Sequence, residues 1–321
     1  NALNSLIDYI NKCLCNNYVD ERSSKIQKRV HTSSNKSIHI LSHLLDNHIT
    51  ILSTITSPSL LEFYNNYMIK NQPVVINDVM TDWPCLSIPE RSWSDINYIK
   101  KICGNRTVPI ELGRNYLSTD SKQTLMTINQ FIDDYCLTKN NSAYLAQHRL
   151  IDQITILRND ICIPDYCSLY LPNETENDDV IINAWFGPSN TVSPLHHDSY
   201  HNLLAQVVGF KYIRLYEECH SNRLFPLHGI MSNNSEIDLT NIEEIESKFN
   251  DVLDIPCYEI VLCPGQMVYI PRWCWHFVQS ITLDQAIEWY NKHNLTMSNH
   301  MIDYDYSFSV NFWWGDRLIK S

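Results

Sequence analysis

The second half of the chain carries the clearest pattern of hydrophobic and polar positions. From residue 181 onward, short apolar runs and alternating apolar and polar residues are separated by turn residues such as Gly209, Gly265 and Pro271. Because successive side chains of a strand point to opposite faces, this pattern indicates many short strands and favours a barrel or a sandwich. The predicted strands are residues 181–186, 202–208, 211–216, 258–262, 267–270, 275–280 and 307–314.

The first 180 residues show a different pattern. Apolar residues at helical spacing over residues 1–56, with a polar stretch at 20–36, predict an N-terminal helical segment that contains a polar linker. Residues 57–180 alternate between helix and strand signals, which predicts a mixed α/β section. Its predicted elements are a helix beginning near residue 60, strands at 72–77 and 107–112, and helices at 94–103 and 128–136.

Two inserts interrupt the strand pattern of the second half. Residues 217–257 contain an acidic stretch, 237–254, whose spacing predicts a helix on a long connection. Residues 281–304 contain a second helical pattern at 283–292. The sequence therefore predicts a mainly β protein with added helices.

Composition narrows the class of protein. The 321 residues, of which 44% are hydrophobic and 11% aromatic, allow a sizeable core rich in strands. A net charge of -12 argues against direct nucleic acid binding and suits a basic partner. Eleven cysteines without a Cys-x-x-Cys pair, no visible secretory signal and no apolar run of membrane-spanning length predict a nuclear or cytosolic protein with no membrane partner.

A His-x-Asp sequence and a distant histidine point to a metal site. Residues two apart on an extended segment point to the same side, so His196 and Asp198 can share a metal while His197 faces away. His276 lies in a strand-like aromatic stretch that the fold can bring alongside. Two imidazoles and one carboxylate leave one face of Fe(II) open, which indicates catalysis. On spacing alone, hydrogen-bonded core or surface histidines explain the pattern equally well.

Together with this triad, four further motifs resemble the JmjC oxygenases. They are WFGP at 185–188, SPLH at 193–196, KYIRLY at 211–216 and SFSVNFWW at 307–314. Residues 123–127, 144–148 and 163–168 are similar to the lysine demethylase 8-like members, which are described as arginyl hydroxylases. The resemblance covers residues 57–316. It implies a double-stranded β-helix, a jelly-roll or cupin-like core, over residues 181–316, with the metal inside one end.

The resemblance also implies the co-substrates. JmjC oxygenases use Fe(II), 2-oxoglutarate and O₂, and the open coordination face has room for the 2-oxo acid and O₂. Lys211 matches the family's lysine for the far carboxylate of 2-oxoglutarate, with Tyr144 and Ser193 as hydroxyl donors. Asn202 matches a polar residue near the metal-bound end. Without the resemblance, Lys211 is better explained as a solvated lysine on a strand.

By the same resemblance, two residues belong to the substrate site. Trp185 would flank the mouth, and Glu111 aligns with an acidic residue suited to a guanidinium. A carboxylate can hold arginine through paired hydrogen bonds and fix which methylene faces the iron. The expected function is hydroxylation of a protein or peptide substrate with a basic side chain, with arginine foremost. Core packing of Trp185 and an exposed strand-end acid at Glu111 are the alternative interpretations.

Two other functions remain open. The same triad can demethylate N-methyl-lysine, because hydroxylation of the N-methyl carbon releases formaldehyde. A non-enzymatic alternative is a metal-binding adaptor at chromatin, in which iron and 2-oxoglutarate only stabilise the fold. The sequence leaves the substrate protein and the oligomeric state open.

Three residues and one insert depart from the subgroup pattern. His197, Tyr200 and His201 stand where amide-type residues are expected, so the rim of the pocket is expected to differ. The odd spacing of His201 from His196 turns it away from the metal on a regular strand. The insert at 281–304 has no counterpart in the pattern, and we expect it either to gate the site or to bind a partner.

Overall fold

The structure is a computed structural model. It describes residues 48–113, 115–117, 121–138, 143–172, 174, 179–297 and 301–315. The helices and polar linker expected within residues 1–47 lie outside the described residues.

The described chain forms two β-sheets. The small sheet has the strand order β1-β11-β10-β13-β8, and the large sheet has the order β2-β3-β12-β9-β14-β7-β6-β4-β5. From β7 to β14 the chain passes repeatedly between the two sheets, which is the jelly-roll arrangement of a double-stranded β-helix and confirms the expected fold class. The strands are β1 Ile49–Ile51, β2 Thr54–Thr56, β3 Val74–Asn77, β4 Thr107–Leu112, β5 Lys122–Thr127, β6 Ala143–His148, β7 Ile181–Pro188, β8 Val192–His196, β9 His201–Val208, β10 Phe210–Tyr216, β11 Cys257–Leu262, β12 Met267–Ile270, β13 Trp275–Ile281 and β14 Tyr306–Trp314.

Strand β14 shows how the sequence divides the two faces of the large sheet. Phe308, Val310 and Phe312 belong to the main hydrophobic core, whereas the alternate residues Ser309 and Asn311 are buried polar side chains on the opposite face. The apolar face packs against the mixed section. The polar face points into the space between the sheets, where the candidate site lies.

Short helices cover the apolar face of the large sheet. Phe131 packs edge-on against Phe186 of β7, with ring centroids 5.4 Å apart. Among the described residues, no helix is long and apolar enough to cross a membrane. The α-helices are Leu60–Phe63, Pro84–Ser87, Ile96–Cys103, Ile128–Phe131, Leu150–Gln153, Thr155–Arg158, Ile242–Lys248 and Leu283–Lys292; π-helical turns are Tyr64–Met68 and Ile132–Cys136; 3₁₀ turns are Pro89–Arg91, Asp165–Ser168, Glu218–Arg223, Gly229–Met231 and Asn250–Asp254.

Residues 49–56 correct the expectation of a helical segment that extends to residue 56. They form β1 and β2, which pair in parallel with β11 and β3. Ile49 pairs with Cys257, a partner more than two hundred residues away along the chain. Local spacing carries no signal for such a partner, so tertiary pairing overrides the helical pattern.

The acidic stretch 237–254 also differs from the single helix that its spacing predicts. The structure has a helix at Ile242–Lys248, capped by the Asn241 side chain, followed by a 3₁₀ turn at Asn250–Asp254. Only Ile245 of the helix is buried, so little apolar surface is available to extend it.

The insert at 281–304 packs on the outer face of the small sheet. Its helix, Leu283–Lys292, begins at a capping box between Thr282 and Gln285. Trp289 is buried and donates its indole N–H to Glu259 at 3.4 Å. Glu259 forms a buried ion pair with Arg214 of β10. The described part of the insert contributes none of the residues that line the candidate cavity.

Candidate functional site

The fold brings His196, Asp198 and His276 together. Their ligand atoms, one from each side chain, all lie within 4.8 Å of one another. His196 ends β8 and pairs directly with His276 on β13, and Asp198 follows two residues after the end of β8. The Nε2 atom of His276 lies 3.5 Å from Asp198 Oδ2, and that of His196 lies 4.0 Å from Asp198 Oδ1.

Both imidazoles are oriented by backbone carbonyl groups. The Nδ1 atom of His196 lies 2.7 Å from the Pro194 oxygen, and that of His276 lies 3.0 Å from the Cys274 oxygen. A hydrogen bond from Nδ1–H to a carbonyl leaves Nε2 with its lone pair as the metal-binding atom. This donor set of two imidazole nitrogens and one carboxylate oxygen fits Fe(II).

The environment of the triad favours the neutral imidazole of His276. Burial, and after it the nearby His196, lowers the pKa of His276 well below its usual value. Burial raises the pKa of Asp198, and the proximity of His196 opposes that rise. A cation in this position would compensate the cost of a buried carboxylate.

Lys211 occupies a polar pocket in the interior of the barrel. It is only 2% exposed, and its Nζ donates to Tyr144 Oη at 3.1 Å and to Ser280 Oγ at 3.3 Å. Burial lowers its pKa to about 7. Among the described residues no carboxylate forms an ion pair with this ammonium group. A buried cation with only hydroxyl partners fits an anionic ligand such as the far carboxylate of 2-oxoglutarate.

Ser193 lies on the same wall of the site. It is buried on β8, three residues before His196, and it lines the cavity together with Tyr144. Both expected hydroxyl residues thus line the cavity that His196 and Asp198 also line, and Tyr144 in addition contacts Lys211.

A cavity of about 550 Å³ opens beside the triad. His196, Asp198, Glu111 and Trp185 all line it. Glu111 lies on β4 directly opposite Tyr144 of β6, and burial raises the pKa of its carboxyl group. The structure thus brings the expected substrate carboxylate and the metal group to one cavity.

Asn202, expected near the metal-bound end of the co-substrate, belongs to a chain of side-chain hydrogen bonds. Asn202 is buried on β9 and does not line the cavity. Its Oδ1 accepts a hydrogen bond of 3.0 Å from Asn311, which in turn accepts one of 2.9 Å from the Trp185 indole. These two hydrogen bonds fix the orientation of the Trp185 ring at the cavity wall.

Neither unusual histidine joins the metal group. His197 packs against the rings of Trp273 and Trp275, with centroids 5.5 and 4.6 Å away. His201 is buried, with one ring nitrogen 2.8 Å from Tyr269 Oη and the other 3.0 Å from Glu174 Oε1. The side chain of His201 thus points away from the metal, as its odd spacing predicts.

Sequence reasoning missed two hydroxyl residues of the Lys211 pocket. Ser280 faces Lys211 across the β10–β13 pair, and Thr191 donates to Ser280 Oγ at 2.9 Å. An available signal was the even spacing of Ser280 from His276, which puts both on one face of β13. It also missed three aromatic residues that line the cavity, which are Tyr116, Trp273 and Trp313.

Comparison with known proteins agrees with this site. A model of the cupin-like domain matches residues 60–318. The chain is 45% identical over 244 residues to JmjC domain-containing protein D of Dictyostelium discoideum, and the aligned segment covers 72% of this chain and 54% of that protein. It is 40% identical over 267 residues to Lysine-specific demethylase 8 of Xenopus tropicalis, and the aligned segment covers 83% of this chain and 53% of that protein. Lysine-specific demethylase JMJ30 of Arabidopsis thaliana is 41% identical to this chain over 267 residues, and the aligned segment covers 82% of this chain and 54% of that protein.

The chain spans about half the length of these relatives, and the family match covers most of the chain itself. The matched range contains both sheets of the jelly roll from β3 onward and every residue of the metal group. The chain therefore belongs to the JmjC family of cupin-like domains, whose members are oxygenases that use Fe(II) and 2-oxoglutarate.

Proposed function

We propose that this protein hydroxylates an arginine side chain of a protein substrate in a reaction that depends on Fe(II) and 2-oxoglutarate. The observation that carries the proposal is the half-buried Glu111 carboxylate in the same cavity as His196 and Asp198. A cationic side chain held by Glu111 would place its carbon atoms next to the metal group.

His196, Asp198 and His276 would hold Fe(II), and Lys211 with its hydroxyl partners would hold 2-oxoglutarate. When bound, these groups supply the oxidising chemistry, in which 2-oxoglutarate and O₂ become succinate and CO₂ and one oxygen atom enters a substrate C–H bond. The protein contributes placement and exclusion of water. Lys211 would hold the far carboxylate of 2-oxoglutarate by charge, with Tyr144 and Ser280 as its hydroxyl neighbours.

Glu111 supports arginine as the substrate residue. A guanidinium presents parallel N–H groups that match a carboxylate, and the partial burial of Glu111 strengthens that pair. The flat face of a guanidinium also stacks on aromatic rings such as Trp185, whose ring lies 6.0 Å from that of Tyr144. Together these contacts would orient the arginine chain and select one methylene.

Demethylation of N-methyl-lysine is the second candidate. Six aromatic side chains line the cavity, and aromatic faces attract methylammonium groups. Two of the relatives are named lysine-specific demethylases. A guanidinium presents two parallel N–H groups to Glu111, whereas an N-methylammonium group loses one N–H with each methyl group and offers no such planar pair, and this difference favours arginine.

Two matched peptides distinguish the candidates. One carries a central arginine and the other N-methyl-lysine in the same flanking sequence, and each is incubated with the protein, Fe(II), 2-oxoglutarate and O₂. We expect the arginine peptide to gain the mass of one oxygen atom with stoichiometric succinate. Formaldehyde release from the second peptide without oxidation of the first would replace the proposal by demethylation.

The same assay tests the non-enzymatic alternative. An adaptor would bind Fe(II) and 2-oxoglutarate without forming succinate above the level of the His196→Ala variant. The nuclear or cytosolic location stays a prediction.

A further inference from the structure

The rim of the cavity carries an apolar pair that the proposed reaction does not use. Ile230 and Met231 lie on the 3₁₀ turn Gly229–Met231 and both line the cavity. Ile230 is 100% exposed and Met231 is 40% exposed. No other large apolar side chain in the described ranges is as exposed as Ile230.

Residues 233–235, which follow this pair, are hydrogen-bonded to the end of β8, the strand that carries His196. The His197 N–H donates to the Asn233 oxygen at 2.9 Å, and the Ser235 N–H donates to the Leu195 oxygen at 2.9 Å. Asn234 lies between them, and its Oδ1 accepts a hydrogen bond of 2.6 Å from Tyr116. The position of Ile230 is thus set relative to His196 at the edge of β8.

A peptide that delivers a side chain to the cavity passes over part of its rim, to which Ile230 and Met231 belong. Glu111, His196 and Asp198 line the cavity, so the basic side chain would enter it while the peptide backbone would stay outside. The residues next to the basic one then pass over the cavity edge, where Ile230 and Met231 offer apolar surface.

We propose that Ile230 and Met231 bind a large apolar side chain located within two residues of the modified residue in the substrate. The inference rests on the proposed function, and it adds a sequence preference that Glu111 alone cannot give. Burial of a fully exposed isoleucine against an apolar partner corresponds to on the order of tenfold in affinity. Continuity with the cavity favours a substrate residue over a second copy of this chain as the occupant.

Peptide binding to the protein loaded with Fe(II) and 2-oxoglutarate without O₂ tests this preference. Fluorescence anisotropy compares a parent peptide of alanines around a central arginine with four derivatives, each with one leucine at one of the two positions on either side. The same series with a central glutamine is measured in parallel. We expect at least one leucine derivative to bind wild-type protein about tenfold more tightly than its parent.

Ile230→Ser removes the apolar contact at a fully exposed position where the fold is not at risk. We expect this variant to lose the leucine preference while it binds the alanine parent as wild type does. The matched control is Leu61→Ser, a residue 69% exposed on helix Leu60–Phe63 that does not line the cavity. It should keep the preference.

Two results would overturn the inference. One is an absence of any leucine preference in wild type, and the other is a preference that survives Ile230→Ser. If sedimentation shows that Ile230→Ser dissociates an oligomer while the peptide series is unchanged, a second copy is the occupant and the inference is wrong. If peptides with a central arginine and a central glutamine bound equally tightly, the proposed function, and not this inference, would be contradicted.

Discussion

Lys211 and Ser280 lie opposite each other on β10 and β13, and the lysine ammonium group donates to the serine hydroxyl at 3.3 Å. Ser280 Oγ also accepts a hydrogen bond of 2.9 Å from Thr191. Because this oxygen already accepts twice, its own O–H is left to donate to a bound carboxylate. Lys211 thus supplies charge and Ser280 supplies a directed donor to the same anion.

Substitution of Ser280 by alanine should therefore weaken 2-oxoglutarate binding by about tenfold, the usual effect of a lost hydrogen bond to a charged group. Anaerobic calorimetry with Fe(II) present measures the dissociation constant. The matched control is Ser309→Ala, which removes an equally buried hydroxyl that donates to Gln206. Equal weakening in both variants would show that Ser280 has no specific role.

The lowered pKa of Lys211 predicts a pH dependence of co-substrate binding. The ammonium group is charged below about pH 7 and becomes increasingly neutral above it. A bound carboxylate needs the charged form, so the affinity for 2-oxoglutarate should fall as pH rises above about 7, by up to about tenfold per pH unit. Calorimetry from about pH 6 to about pH 9 measures this slope.

Lys211→Arg is the control for that slope, because a guanidinium stays charged throughout the range. The affinity of this variant for 2-oxoglutarate should be lower overall but should not change with pH.

Without ligand, the free energy of unfolding of wild type relative to Lys211→Met should rise between about pH 7 and 10.5, since the unfolded chain then binds more protons than the folded one. A difference that falls with pH would contradict the assigned burial.

Glu111→Gln should lower kcat/KM for an arginine peptide by about tenfold or more, because a neutral amide loses the charge-assisted pair. Burial raises the pKa of Glu111, so wild-type peptide affinity should also fall on acidification at a higher pH than for an exposed glutamate. This acid limb should vanish in Glu111→Gln. The exposed Glu90→Gln variant is the control and should match wild type. A wild-type kcat/KM in Glu111→Gln would remove the arginine assignment.

Trp289→Ala should destabilise the protein without affecting the site. Loss of this buried side chain should lower the free energy of unfolding by about 3–5 kcal/mol. Ile287→Ala, on the exposed side of the same helix, should change it by less than about 0.5 kcal/mol. Denaturant unfolding measures both, and 2-oxoglutarate affinity of the folded variants should match wild type. A changed 2-oxoglutarate affinity in either variant would support a gating role for the insert.

The elements that sequence alone predicts are those with a local signal. The two-residue spacing of His196 and Asp198 is set by strand geometry, and the alternation along β14 separates its core face from its site face. Both signals come from neighbouring residues. The shared orientation of His196 and Asp198 and the strands from β7 to β14, except the five-residue β8, were predictable for this reason.

The parts that sequence alone missed depend on distant partners. Asn202 carries no local signal of its own: it reaches Asn311 on a neighbouring strand, and Asn311 in turn accepts the Trp185 indole N–H. Thr191 joins the Lys211 pocket only because strand register brings it to Ser280. Register between strands is set by the whole fold, so residue spacing does not contain it.

The most direct test of the account is succinate formation by wild type and by His276→Ala, with Fe(II), 2-oxoglutarate, O₂ and an arginine peptide. His276 is the ligand contributed by β13, and its loss leaves His196 and Asp198 as an incomplete metal group. We predict that wild type forms succinate in proportion to hydroxylated arginine and that His276→Ala forms none above background while it remains folded. Succinate formation by His276→Ala at the wild-type rate would contradict the assignment of the metal site.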